Sequence, residues 1–102
     1  MGRKLTTRRT GGTNPASIIA PSISGTLIVG QVLTCNPGYW TGLNPFTLAY
    51  QWIRGAATPI GTNSPNYTLV AGDSTNTVKC QVTVTNALGA ATATSPSTST
   101  IP

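Results

Sequence analysis

The run Val78-Lys79-Cys80-Gln81-Val82-Thr83-Val84 alternates four apolar residues with Lys79, Gln81 and Thr83. A period of two places one set of side chains on each face of an extended chain, so this run predicts a strand with one buried and one wet face. Cys80 falls on the apolar face. Working outward, Leu33-Thr34-Cys35 puts Cys35 on the apolar face of an earlier strand. Trp52, in Tyr50-Gln51-Trp52, lies between the two cysteines on a third.

A Cys…Trp…Cys order on alternating strands, in a chain of 102 residues, predicts an all-β immunoglobulin-like β-sandwich of about seven strands. The strand of Cys80 should be central and face the strand of Cys35 across the core, with Trp52 packed on both cysteines. Two states are open to Cys35 and Cys80. A disulfide closing about 45 residues would stabilise by roughly 4 kcal/mol in the chain-entropy model, and the predicted geometry favours it. Free thiols would serve as small buried apolar groups, and synthesis without an export signal favours that state at first. Either role is structural.

The length suffices for one core and not for two. Only 7% of residues are charged, histidine is absent and Asp73 is the sole acid. Catalysis by a carboxylate pair, a base–nucleophile dyad or a bound metal therefore has no residues to work with, and no enzyme activity, metal or cofactor is expected. Of the net charge of +5, Arg3, Lys4, Arg8 and Arg9 supply +4 before residue 10. The remainder, with Arg54, Lys79 and Asp73, is nearly neutral.

Residues 1–16 lack periodicity and contain Gly11-Gly12 and Pro15, which predicts an extended basic arm ahead of a sandwich domain at residues 17–102. Gly11 to Pro15 stands where a secretory signal would need an apolar segment. No apolar run reaches the length of a membrane span. The chain starts at Met1 and is expected to be a whole translation product. Ile18-Ile19 and Ile23, divided by Pro21, suit an edge strand. Further strands are expected at residues 31–36, 47–54, 58–61, 67–70, 77–85 and 90–95, with Leu48, Tyr50, Trp52, Tyr67 and Leu69 inward. Tyr39-Trp40 should close one end. Asp73 should stabilise the turn before Val78 with its side chain, and Pro96 should end the pairing and leave a polar tail.

Pro21-Ser22-Ile23-Ser24-Gly25, Val29-Gly30-Gln31-Val32-Leu33-Thr34, Pro37-Gly38-Tyr39-Trp40 and Val82-Thr83-Val84-Thr85-Asn86-Ala87-Leu88-Gly89 resemble the Ig-like domains of bacteria and bacteriophages. The resemblance spans about residues 17–98. It implies a module of the kind found on surface proteins and as appendages of phage capsids and tails. Many such domains have apolar residues where Cys35 and Cys80 stand. The tyrosine that antibody-type domains carry two residues before the second cysteine is here Val78.

Two groups of residues are candidates for function. Tyr39, Trp40 and Phe46 cluster near one end and could form an exposed ligand platform, with weak glycan binding as its use. Tyr50, Trp52 and Tyr67 fall on inward positions and read as core. Asn66-Tyr67-Thr68 matches a glycosylation sequon, which without an export signal reads as turn composition. Arg3, Lys4, Arg8 and Arg9 could neutralise phosphates or grip carboxylates of a protein surface, with backbone pairing added. The near-neutral remainder offers no basic face, which favours a protein partner over nucleic acid. Together with the resemblance, these features imply a phage capsid decoration protein. It would be made in the host cytoplasm and exposed on the virion, with its arm on the major capsid protein or another virion subunit. A tail or baseplate component and a glycan-binding adhesion module are the alternatives.

Overall fold

The computed structural model describes residues 13–102. Over that span the chain is all-β, with antiparallel strands and one 3-10 turn. The strands are β1 (Ala16–Ile19), β2 (Ser22–Ser24), β3 (Val32–Asn36), β4 (Tyr39–Thr41), β5 (Thr47–Arg54), β6 (Thr58–Ile60), β7 (Asn66–Thr68), β8 (Val78–Asn86) and β9 (Gly89–Thr94). They form a β6-β5-β8-β9 sheet, a β2-β3-β7 sheet and a β1-β4 ribbon.

β8 is central to its sheet because its alternation leaves both edges free to pair while one face stays apolar. It pairs with β5 from Arg54↔Val78 to Thr47↔Thr85, and with β9 from Gln81↔Thr94 to Asn86↔Gly89. Val78, Cys80, Val82 and Val84 are all fully buried. Leu33 and Cys35 of β3, Tyr67 of β7 and the neighbouring Leu69 come from the other sheet to complete the same core. This is sandwich packing, in which the two inner faces interdigitate. Trp52 sits directly opposite Cys80 across the β5–β8 ladder. Its ring stacks on Tyr67 at 5.5 Å and its Nε1–H donates to the Ser64 carbonyl at 2.8 Å, so the buried indole keeps no unpaired donor.

Two expectations change. The single edge strand around Pro21 is two strands, and the chain has more strands than the seven expected. Pro21 is buried and has no N–H to give a ladder, so the segment before it leaves to pair with β4 while Ser22–Ser24 pairs with β3. The residues after Pro96 are not a loose polar tail. Ser95 and Thr98 amides donate to the Cys80 and Val78 carbonyls, and their hydroxyls accept the Cys80 and Val78 amides in return. Two side chains thus continue a ladder that Pro96 interrupts. The strap ends with Ile101 fully buried, exchanging backbone bonds with Thr75 and Asn76. Ile101→Ala should cost about 2–4 kcal/mol in urea unfolding, as for other fully buried aliphatic side chains. A loss within error of zero would show that the strap is not part of the core. Cys35 and Cys80, both buried, meet across the core as the sequence reading expects. Each lies near a backbone carbonyl, Cys35 Sγ at 3.7 Å from Asn36 O and Cys80 Sγ at 4.0 Å from Gln81 O, which suits weak S–H donors.

Candidate functional site

The chain enters the sandwich at one end, and that entry is built from three loops. The Thr13 carbonyl accepts the Leu43 amide at 3.1 Å and the Asn86 side-chain amide at 3.0 Å. Pro15 behind it is buried. Gly42 has φ +135, and a Cβ there would lie 2.8 Å from the Asn14 carbonyl oxygen, so only glycine lets the loop close over the entering chain. Residues 13–16, assigned by sequence to the arm, are therefore fastened to the sandwich. Arg3, Lys4, Arg8 and Arg9 lie outside the described residues.

Past this anchor runs the β1–β4 ribbon. Ser17 stands opposite Trp40 and Ile19 opposite Tyr39, with a bulge between Ser17 and Ile19. Opposed residues of an antiparallel pair share a face. Ile19 thus lies on the face of Tyr39. Ile18, one step from Ser17, also turns away from the face of Trp40. The bulge replaces the alternation that would have sent one isoleucine inward. All three side chains are open to solvent: Ile18 at 58%, Ile19 at 62% and Tyr39 at 57%. Gly38 holds the turn between β3 and β4 against β1, since any side chain there would collide with the Ile19 carbonyl.

This geometry breaks up the expected aromatic platform. Trp40 is buried, and its Nε1–H donates to the Pro37 carbonyl at 2.7 Å, so the indole closes the end of the core. Phe46 is half-buried and packs against the same core. Tyr39 alone remains exposed. Adjacent residues of a strand point to opposite faces, so Tyr39 and Trp40 cannot serve one platform. The described residues form no pocket, nor any group of three His, Cys, Asp or Glu side chains able to hold a metal.

At the other end of β5 lies the strongest polar cluster. Asp73, fully buried in the 3-10 turn Ala71–Asp73, accepts hydrogen bonds from Arg54 Nε at 2.7 Å, Tyr67 Oη at 2.7 Å and the Val70 amide at 2.9 Å. Burial by itself pushes the Asp73 carboxyl up, but the Val70 amide, the Tyr67 hydroxyl and the Arg54 guanidinium together hold it below its ordinary value. Burial, with Asp73 adding to it, pushes Tyr67 up to about 12, so its hydroxyl stays a donor. The cluster fastens β5, β7 and the turn, and both carboxylate oxygens of Asp73 accept hydrogen bonds from this chain. In the core, the contact with Cys35, and then burial, pushes the Cys80 thiol up. A protonated, buried thiol is a poor nucleophile.

Two features of the site carry only weak signals in the sequence. The outward pair Ile18-Ile19 shows only as an edge strand; its signal is two adjacent isoleucines with no alternating polar partner. The Arg54 contact of Asp73 has as its only signal a single acid in a chain that carries six bases. No family model, curated protein or solved structure matches this chain in comparisons with known proteins.

Proposed function

We propose that this chain is an Ig-like structural protein of a virion, a capsid decoration protein anchored by its basic N-terminal arm to the major capsid protein. The observation that carries the reading is the anchor at Thr13. The segment bearing Arg3, Lys4, Arg8 and Arg9 joins a rigid, nearly neutral sandwich at one end, between the Leu43 and Asn86 loops. A partner held by the arm therefore meets that end, and the sandwich projects from it. The β2-β3-β7 sheet facing β6-β5-β8-β9 supports the Ig-like assignment, as does Trp52 beside Cys80. Asp73 with Tyr67 and Arg54 fastens the corner that a tyrosine at the position of Val78 would otherwise hold.

The mechanism is binding. Arginine forks pair with carboxylates of the capsid surface, and many weak contacts repeated over a symmetric shell reinforce it. Deleting residues 2–12 should leave the melting temperature almost unchanged, because their sequence has no apolar periodicity to bury against a core. The same deletion should abolish co-sedimentation with empty capsids of the phage that encodes the chain. Retention at full occupancy without the arm would overturn the anchoring role. A requirement for packaged genome would instead assign the arm to nucleic acid. Copy number per particle separates a shell protein from a tail or baseplate component.

A further inference from the structure

We infer that the outward strip Ile18–Ile19–Tyr39 on the β1–β4 ribbon is a second half of the partner contact, fitted to an aliphatic ridge on a protein subunit bordered by carboxylates. The inference rests on the proposed anchoring reading and names what that partner must look like. Three observations point to it. The strip begins at Ile18, five residues after the Thr13 anchor, so it adjoins the point where the arm joins the sandwich. The twelve residues ahead of Thr13 can reach at most about 40 Å when extended, so a subunit gripped by the arm is held at high effective concentration beside the strip. The bulge spends the strand alternation on turning both isoleucines outward, and the exposed large apolar side chains of the ribbon all lie on that one face. Contiguous apolar surface beside a basic segment suits a protein surface. Phosphates and sugars offer arginine a partner but offer isoleucine none.

The occupant is thereby defined by two chemistries at a fixed spacing: carboxylates for the arm and aliphatic side chains for the strip. Ionic contacts weaken with salt and apolar contacts do not, so the two halves can be told apart. The variant Ile18→Thr/Ile19→Thr/Tyr39→Thr removes apolar area, adds no charge and keeps the β-branched preference for strands. All three side chains are more than half exposed, so the fold should survive, which circular dichroism and the melting curve check.

Binding of the parent, the triple variant and a variant with Arg3, Lys4, Arg8 and Arg9 changed to Gln would be measured on empty capsids over a range of salt concentrations. The triple variant should lose roughly a hundredfold in affinity while keeping the salt dependence of the parent. The Gln variant should lose affinity and most of its salt dependence. Ile28→Thr, at the far end of β3, is the control and should bind as the parent does. If the triple variant binds like the parent while the Gln variant fails, the strip is not a contact and the arm reading stands. If the parent does not bind empty capsids, both fall. Equal losses for Ile28→Thr and the triple variant would also overturn the strip, because the effect would not be local.

Discussion

Trp52→Ala should lower stability by about 3–5 kcal/mol, the usual cost of truncating a fully buried large aromatic side chain. The indole has no exposed surface, stacks on Tyr67 and lies opposite Cys80. Its removal therefore empties the space between the β8 side chains and the β3–β7 sheet. The Ser64 carbonyl would lose its donor as well. For a domain of this size the loss corresponds to a drop of roughly 15 °C or more in melting temperature. Thermal and urea unfolding of the parent and variant would measure it. A variant melting within a few degrees of the parent would mean that Trp52 is not the centre of the core.

The second large effect is expected at Asp73. Asp73→Asn leaves one side-chain oxygen to serve three donors and turns an amide toward the Arg54 guanidinium. With the group buried, the cost should be about 3 kcal/mol. The parent should also show a pH dependence that the variant lacks. The folded carboxyl titrates below its ordinary value of 3.8, so its stabilisation is complete above that pH and is lost as pH falls through the lowered value. Asp73 is the chain's only acidic side chain, so apart from the terminal carboxyl the acid limb of the stability curve belongs to it. Urea midpoints between pH 6 and pH 2 test this directly. A parallel fall in the parent and Asp73→Asn would show that the cluster does not hold the carboxyl down.

Much of the sandwich was legible because strand alternation is a local property. Alternation alone delimits β5 from Thr47 to Arg54, and β3, β6, β8 and β9 to within about one residue. Inward Leu69 and Tyr67 followed from the same period. Sequence places Asp73 on its turn but not beside its partners. Arg54 lies 19 residues away and carries no local sign of its destination. Trp40 closes one end of the core as its place in the sequence suggests, but pattern alone leaves it open as a platform residue because it does not reveal that the Pro37 carbonyl can satisfy its indole.

By itself the sequence determined the all-β class, the central place of β8 and the near-neutrality of residues 13–102, which carry Arg54, Lys79 and Asp73. Each of these depends on residue type and on a period of two, which covalent geometry imposes along any extended chain. Tertiary structure alone decided that Pro21 divides the first strand between two partners. It also decided that Ile101 returns to the core. The outward turn of Ile18 and Ile19 belongs to the same group. These outcomes depend on which distant backbone groups remain unpaired after the main ladders form. Thr13 finds Asn86 across 73 residues for that reason, and no local window of sequence contains both ends of such a choice.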